Sequence, residues 1–191
     1  MLLYNGAMSA PLVRPYITYD DLCRLPADGN RYELIDGEAY LTPSPNSRHQ
    51  KIVGRLHGAF RAAIPDRSEI LFAPLDVVLA NGTALQPDLL FIREANLGIL
   101  QSVVHGAPDL VIEVLSPATV AMDRGVKMEA YARHGIGEYW IVDGELGAIE
   151  IYRLDSAAGA YRLATRCAEG ERATTPLLPA LSIVPSQICR A

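Results

Sequence analysis

Apolar residues recur along this chain at two different periods, which predicts a fold of mixed helices and strands. The 3.6-residue period marks amphipathic helices. Predicted helices cover a short segment from Thr18 to just before Pro26, residues 47–64 and residues 123–134. Residues 44–47, Ser-Pro-Asn-Ser, offer caps for the second helix. Pro65 stops it, and Gly135 is a natural end for the third.

Strands are predicted where apolar runs lie between turn residues. They cover residues 31–42 as a hairpin about Asp36-Gly37, residues 70–79 and 87–92 around Asn81-Gly82, and residues 109–115, 138–143 and 148–154. Residues 109–115 form a continuous apolar run with one acid inside it, which indicates a central strand covered on both faces. The fold class is therefore α/β (α+β): a mixed β-sheet flanked by helices, with an N-terminal β-hairpin and a C-terminal β extension.

Length and composition fit one cytoplasmic domain. We expect residues 1–15 to form an N-terminal tail and residues 16–191 a single domain. No apolar stretch reaches the ~20 residues of a membrane span, and residues 1–12 lack a signal-peptide pattern. The three cysteines form no CxxC, which argues against a disulfide framework or a zinc cluster. The net charge of −5 argues against DNA binding over the whole surface, although a local basic stripe remains compatible with it.

Two acids are candidates for a metal site. Asp88 begins one predicted strand, and Glu113 lies inside the apolar run Leu-Val-Ile-Glu-Val-Leu. A buried, unpaired carboxylate costs several kcal/mol or shifts its pKa. Two carboxylates that converge on Mg²⁺ would remove this cost, because the ion takes one or two carboxylates and completes its octahedron with water and phosphate. Alternatively, Glu113 pairs with an arginine, or its strand is half exposed.

Two other acids are predicted to lie outside the site. Asp109 shares a strand face with Glu113, but their Cα atoms would be about 13 Å apart, so we expect Asp109 to be a strand-start residue. A two-residue turn at Asn81-Gly82 places residue 75 opposite Asp88 and points Asp76 to the other face. Asp76 is therefore expected to be non-catalytic.

Lys127 is the candidate cation, at a helical position expected to be partly exposed. The chain has only two lysines, Lys51 and Lys127, against fifteen arginines. A lysine in so arginine-rich a chain suggests a need for a compact ammonium. The alternative is an ordinary i,i+4 pair with Asp123 on an exposed helix, worth ~0.3–0.5 kcal/mol.

The remaining candidates have supporting roles. His49 faces the apolar side of its helix, where a hydrogen-bonded core histidine is the favoured interpretation and a site role the alternative. Glu38 can be a metal ligand or an exposed hairpin acid. Arg48, Lys51 and Arg55 form a basic stripe that is either a phosphate contact or a solvated face.

An ordered set of motifs resembles a known family. The motifs are Tyr-Glu-Leu-Ile-Asp-Gly-Glu (32–38), Pro-Leu-Asp-Val (74–77), Gln-Pro-Asp-Leu (86–89), Ala-Pro-Asp-Leu-Val-Ile-Glu-Val-Leu-Ser-Pro (107–117), Asp-Arg-Gly-Val-Lys (123–127), Tyr131, Gly135 and Glu-Tyr-Trp-Ile-Val-Asp (138–143). From about residue 16 to about residue 185 the chain resembles the Uma-type family of proposed restriction endonucleases, a domain of unknown function within the PD-(D/E)xK nuclease superfamily.

The resemblance implies a restriction-endonuclease-like core and Mg²⁺-dependent hydrolysis of DNA phosphodiester bonds, with Mn²⁺ as a substitute ion. Asp88 and Glu113 match the two motif acids, and the Val114 carbonyl would be a further metal ligand. Leu115 occupies the usual lysine position of the motif, so the resemblance points to Lys127 as its replacement.

Two other functions stay open. One is a catalytically inactive nuclease fold that serves as a binding or dimerisation module, which should not bind Mn²⁺. The other is a metallohydrolase of a small phosphorylated substrate, which the acidic net charge permits. Cutting both strands of a duplex favours two sites, so a homodimer is the candidate assembly.

Overall fold

Within residues 15–25 and 29–190, which the computed structural model describes, the chain forms five α-helices, thirteen strands and one 3₁₀ helix. The helices are α1 (Tyr19–Cys23), α2 (Ser47–Ala63), α3 (Val120–Asp123), α4 (Val126–Arg133) and α5 (Pro185–Cys189), and the 3₁₀ helix is Glu94–Ile99. The strands are β1 (Arg31–Ile35), β2 (Glu38–Thr42), β3 (Glu69–Phe72), β4 (Val77–Ala80), β5 (Thr83–Leu85), β6 (Leu89–Ile92), β7 (Val104–His105), β8 (Leu110–Val114), β9 (Glu138–Asp143), β10 (Ala148–Asp155), β11 (Ala160–Cys167), β12 (Ala173–Thr175) and β13 (Leu178–Ile183). The expected tail, residues 1–15, lies outside the described residues except for its last residue, and so does Pro26.

A six-stranded mixed sheet of order β11-β10-β9-β8-β6-β3 forms the centre of the fold. β8 lies between antiparallel β6 and parallel β9, and every residue of β8 is buried. The prediction of a central strand at residues 109–115 is therefore confirmed. Leu110, Ile112 and Val114 face one hydrophobic core, whereas Val111 and Glu113 face the other.

Helices and a second sheet cover the two faces of this central sheet. α2 packs one face with Ile52, Val53, Leu56 and Phe60 and is capped by Asn46, as its apolar period predicts. The other face is covered by α4 and by a five-stranded sheet of order β2-β1-β5-β4-β7. A small β12–β13 sheet and α5 close the α2 side. The architecture is the predicted mixed α+β class.

The region between residues 69 and 92 differs from the prediction. The predicted strand at 70–79 is two strands, β3 and β4, that belong to different sheets, and β5 precedes the predicted strand at 87–92. Pro74 lies between β3 and β4, and its missing N–H cannot continue a ladder of hydrogen bonds. The chain therefore changes sheets at this point.

The predicted helix at 123–134 is also divided, into α3 and α4. Gly125 separates them, and a Cβ atom on this residue would lie 2.8 Å from the Ala121 carbonyl oxygen. The two short helices connect the parallel strands β8 and β9. Among the described helices, none is both long and apolar enough for a bilayer crossing.

Candidate active site

Asp88 and Glu113 lie next to each other on neighbouring strands. β6 and β8 pair Leu89 with Ile112 and Leu90 with Val111. Continuing this register by one residue places Asp88 opposite Glu113, and the Asp88 N–H donates to Glu113 Oε2 at 3.4 Å. Both acids line one cleft of about 510 Å³.

Asp88 is held through one of its two carboxylate oxygens. The Val114 N–H donates to Oδ2 at 2.8 Å, and His49 Nε2 lies 2.9 Å from the same oxygen. No described residue donates a hydrogen bond to Oδ1. One oxygen of Asp88 is therefore available to a ligand in the cleft.

Glu113 is also held mainly through one of its two carboxylate oxygens. Its Oε1 accepts from Lys127 Nζ at 3.0 Å and from the Tyr131 hydroxyl at 2.7 Å. Among the described residues, its Oε2 has only the long contact from the Asp88 N–H. The carboxylate is 3 % exposed, and burial raises the pKa of Glu113 well above its ordinary value, against the opposing charge of Lys127.

Lys127 is a buried residue, so the expectation of a partly exposed lysine is wrong. Its side chain is 5 % exposed, and its ammonium lies 3.0 Å from Glu33 Oε2 and 3.6 Å from Asp123 Oδ1, as well as beside Glu113. Burial alone lowers the pKa of Lys127, but the three surrounding carboxylates outweigh it and raise the pKa. The lysine therefore stays protonated.

The cluster contains more negative than positive charge. Four carboxylates, those of Glu33, Asp88, Glu113 and Asp123, surround one ammonium. If all four are ionised and His49 is neutral, three negative charges are uncompensated. Burial also raises the pKa of Asp123, whose Oδ1 atom is buried and has no hydrogen-bond partner within the described part of the chain. Such a cluster must take up protons or a cation.

His49 lines the cleft and is hydrogen bonded to Asp88. The sequence offered a hydrogen-bonded histidine and a site role as alternatives, and this position agrees with both. Burial lowers the pKa of His49, but the hydrogen bond to Asp88 and the Val114 carbonyl outweigh this effect and raise it. Since Asp88 Oδ2 only accepts, Nε2 carries the proton of this bond. His49 Nδ1 is buried without a partner among the described residues.

The acid of the first hairpin that reaches the site is Glu33, whereas Glu38 had been the candidate. Glu38 is exposed, accepts from the Tyr40 hydroxyl at 2.9 Å and does not line the cleft. Glu33 is 2 % exposed, contacts Lys127, and accepts from the Gln86 N–H at 2.8 Å. The sequence contains the signal that identified Glu113, because Glu33 also lies in a mostly apolar strand, Tyr-Glu-Leu-Ile.

Asp123 and Tyr131 were not predicted as site residues. The spacing of Asp123 and Lys127 indicated only an exposed helix pair, whereas Asp123 is 1 % exposed. Tyr131 is fully buried, and its hydroxyl bonds Glu113. No spacing in the sequence shows which side of α3 and α4 faces the sheet.

Asp76 and Asp109 have partners of their own. The Asn81-Gly82 loop has two residues as predicted, but a bulge between Val78 and Ala80 shifts the register, so the predicted pairing of residue 75 with Asp88 is wrong. Asp76 accepts from the Tyr19 hydroxyl and the Gln86 side-chain amide, each at 2.7 Å. Asp109 pairs with Arg93 at 2.6 Å, in agreement with its predicted strand-start position.

Of the three residues in the basic stripe of α2, only Lys51 is exposed to solvent without a hydrogen bond to the described residues, whereas Arg48 and Arg55 contact other parts of the protein. Arg48 donates to Glu145 at 2.8 Å and to the Gly144 carbonyl at 2.6 Å, and Arg55 donates to the Ile188 carbonyl at 2.9 Å. Both arginines therefore hold neighbouring segments of the fold. Lys51 is exposed and makes no hydrogen bond with the described residues.

A mixed sheet flanked by helices, with acids on adjacent central strands and a lysine on a helix that follows one of them, is an arrangement of the nuclease-like class of folds. The chain belongs to the Uma2 family, whose model, described as "Putative restriction endonuclease", matches residues 18–186. A crystal structure of "a putative nuclease belonging to DUF820" from Anabaena variabilis ATCC 29413 is similar, with a TM-score of 0.74 at 19% sequence identity over 91% of this chain and 97% of that one. A comparison with the curated proteins found no match.

Proposed function

We propose that this protein is a metal-dependent endonuclease that hydrolyses DNA phosphodiester bonds in the cleft of Asp88 and Glu113. The observation that supports this proposal is the excess of buried carboxylates over cations at the floor of an open cleft. A purely structural ion-pair cluster gains nothing from carboxylates in excess of its cations. A site for a divalent cation uses such an excess.

The donor set fits Mg²⁺ or Mn²⁺ held by two carboxylates. Asp88 Oδ1 and Glu113 Oε2 have lone pairs to offer, and the Val114 carbonyl is the proposed third ligand. Within the described residues, no group of three or more His, Cys, Asp or Glu side chains has an arrangement that would hold a metal. The proposed ligands are two carboxylates and one carbonyl, and an ion such as Mg²⁺ completes its coordination with water. When bound, such an ion supplies polarisation of a phosphoryl oxygen and a lower pKa for the attacking water.

The protein side chains orient this site. Lys127 and Tyr131 hold Glu113 by one oxygen, so the other is directed to the neighbouring strand. His49 and the Val114 N–H do the same for Asp88. Lys127 keeps its proton and places a positive charge beside the carboxylates, where it stabilises charge that develops on the phosphate.

The outer face of α2 is the proposed path of the DNA backbone. No acid occurs between Glu38 and Asp66, a segment that includes the whole of α2. Gln50 lines the cleft, and Lys51, Gly54, Gly58 and Arg61 continue along the exposed side of the helix. Lys51 and Arg61 would contact phosphates, and the bare glycines permit close approach of a strand.

Plasmid nicking with Mg²⁺, Mn²⁺ and EDTA tests the proposal. We expect cleavage with either ion, none with EDTA, and a loss of ~10²-fold or more in Asp88→Asn. Asp155→Asn is the control, because Asp155 lies in the β10–β11 hairpin and pairs with Arg162. Cleavage that persists in EDTA, or an Asp88→Asn variant with full activity, would refute the proposal.

The same experiment separates the two alternatives. A protein that neither binds Mn²⁺ nor cuts DNA is an inactive fold of the binding or dimerisation type. A protein that hydrolyses bis(p-nitrophenyl) phosphate with Mn²⁺ but leaves plasmid intact acts on small phosphorylated substrates. The internal partners of Arg48 and Arg55 support this second alternative, because they leave few cations for DNA. A homodimer, which sedimentation would detect, is proposed for cleavage of both strands.

A further inference from the structure

A second cavity, of about 210 Å³, adjoins the cleft. The two cavities share four wall residues, Asn46, His49, Ser116 and Pro117. His49, which bonds Asp88, is therefore part of the wall between them. The second cavity therefore lies directly beside the space that a phosphate in the cleft would occupy.

The second cavity has an apolar part and a polar part, and none of its lining residues is Phe, Tyr or Trp. The apolar part consists of Ile52, Val114, Leu115, Pro117 and Val120, and the polar part of Asn46, Arg48, His49, Ser116, Asp143 and Glu145. Gly144 also lines the cavity and is packed closely against Ile52, since a Cβ atom on Gly144 would lie 2.7 Å from Ile52 Cδ1. Pockets for drug-sized ligands hold roughly 300–1,000 Å³, so this smaller volume suits a single flat ring system.

Polar groups at the cavity have unused hydrogen-bonding capacity. Arg48 Nε is buried and lacks a partner among the described residues. Asp143 Oδ1 accepts from the N–H groups of Glu145 and Leu146, each at 2.9 Å, which leaves Oδ2 as a charged acceptor. A ring with an exocyclic amino group and ring nitrogens matches such a combination of donor and acceptor.

We propose that this cavity binds a nucleobase of the strand whose phosphate lies in the cleft. This inference rests on the proposed function and specifies its substrate, a strand in which one base is unpaired or leaves the stack. Enzymes that bind an extruded base hold it between apolar side chains and contact its hydrogen-bonding edge, and opening an intact pair costs a few kcal/mol. Single-stranded DNA should therefore bind more tightly than the same sequence in a duplex.

Fluorescence of 2-aminopurine tests the proposal without cleavage. A single-stranded oligonucleotide with 2-aminopurine at its centre is titrated with the protein, with Ca²⁺ in place of Mg²⁺ so that a divalent ion is present, and an end-labelled copy reports total binding by anisotropy. Stacking quenches this base, so we expect its fluorescence to rise several-fold in the cavity, and less in a fully paired duplex. Binding by anisotropy without a fluorescence change would refute the base pocket.

Two variants examine the cavity itself. Val120→Trp should fill it and abolish the fluorescence rise, whereas Leu163→Trp, on half-exposed β11, should not. Asp143→Asn keeps the oxygen that caps the turn and replaces the other oxygen with a donor. It should weaken binding of the 2-aminopurine strand by about tenfold or more, the usual scale for a hydrogen bond to a charged group. A full fluorescence rise in both Val120→Trp and Asp143→Asn would also refute the pocket.

A third ligand distinguishes a strand from a free nucleoside. Free 2-aminopurine riboside should bind far more weakly than the oligonucleotide, because it lacks the phosphates that the cleft and α2 hold. Equal affinity would assign the cavity to free nucleosides and overturn the proposal. Fluorescence that rises in a protein that never cuts DNA would instead leave the base pocket standing and refute the nuclease.

Discussion

Lys127 is the residue on which the charge balance of the site depends. Its ammonium lies within 3.0 Å of Glu33 and Glu113 and 3.6 Å from Asp123. An ammonium is compact and has three donors that point in different directions, whereas a guanidinium is planar and larger. The geometry explains why a chain with fifteen arginines has a lysine at this position.

Replacing Lys127 should reduce stability as well as activity. Lys127→Ala leaves buried carboxylates without their cation, so we expect the free energy of unfolding to fall by about 3–5 kcal/mol. Cleavage measured below the unfolding transition should fall by ~10²-fold or more. Lys127→Arg should restore neither property. Urea titration and plasmid nicking measure both effects.

The matched control is Lys51→Ala, which removes the other lysine from an exposed position and should unfold like the wild type. A Lys127→Arg variant with wild-type stability and activity would show that any cation suffices. The requirement for an ammonium would then be wrong.

At the residue scale, the sequence predicts which acids are costly to bury. Glu113 was predicted as a site residue because it interrupts an apolar run, and the structure places Asp88 opposite it and Lys127 beside it. Glu33 has the same sequence signal as Glu113, but the contacts of Glu33 and Asp123 with Lys127 could not be predicted, because they depend on contact between two sheets and on the break before α4. The alternation of side chains between the two faces of a strand shows neither the contact between the sheets nor the break in the helix.

The break between α3 and α4 is the element that sets the positions of Asp123 and Lys127. Gly125 is tightly packed against the backbone, since its Cβ position lies 2.8 Å from the Ala121 carbonyl oxygen. A backbone carbonyl at the end of a short helix cannot move without shifting the helix. Asp123 and Lys127 would move with it.

Gly125→Ala should therefore destabilise the protein, by about 1–3 kcal/mol, the usual cost of overpacking. Gly58→Ala is the control for the same change, because its Cβ would meet nothing within 4 Å on the exposed side of α2. That variant should gain up to about 1 kcal/mol from helix propensity. Denaturation midpoints of the two variants test this difference. Equal effects of the two substitutions would contradict the close packing of Gly125 against Ala121.

The same helix pair is tied to the central sheet by an ion pair with a predictable pH dependence. Arg124 contacts Glu150 of β10 at 2.7 and 3.2 Å. Burial raises the pKa of Glu150, but the hydrogen bonds from Arg124 and Tyr152 outweigh it and lower the pKa below the ordinary 4.5. The stabilising contribution of Glu150 is therefore present above its unfolded pKa and is lost as the pH falls through the lower folded pKa.

Glu150→Gln should consequently remove part of the acid sensitivity. Between about pH 5 and pH 3, around the ordinary carboxyl pKa, the wild type should lose more stability than the variant, and the two curves should converge. Urea midpoints across this range measure the difference. Parallel curves would mean that Glu150 contributes nothing through its charge.

At the element scale, the local sequence pattern predicts a helix or strand correctly where the whole segment packs in one sheet or against one core. The hairpin of β1 and β2, the α2 helix and β8 were all predicted from periodicity and turn residues. Residues 70–92 were assigned too few strands, because the chain leaves one sheet at Pro74 and enters another. The apolar pattern is the same in both sheets, so it cannot show this change.

For the whole molecule, the distribution of charge is more informative than its total. The net charge is −5, yet no acid occurs between Glu38 and Asp66. Several arginines elsewhere are paired with acids, as Arg133 is with Asp36 and Arg153 with Glu138. DNA affinity should therefore depend on few cations and should fall gently with salt.

A double variant tests this distribution. Lys51→Ala with Arg61→Ala should reduce the magnitude of the slope of log affinity against log salt by about 2, since each lost phosphate contact contributes about 0.9. Arg162→Ala, which removes a cation that pairs with Asp155, should leave the slope unchanged. Fluorescence anisotropy at several salt concentrations gives both slopes. Identical slopes for wild type and double variant would exclude α2 as the path of the backbone.

The order in which the cluster is assembled has a consequence for synthesis on the ribosome. Its members extend from Glu33 to Lys127, and β8 becomes a central strand only when β9, which ends at Asp143, pairs with it. A nascent chain that stops short of this point has the acids and the lysine but lacks the strand that makes β8 central. The proposed site is therefore expected to be complete only in chains that extend past β9, so unfinished or truncated chains should have no cleavage activity.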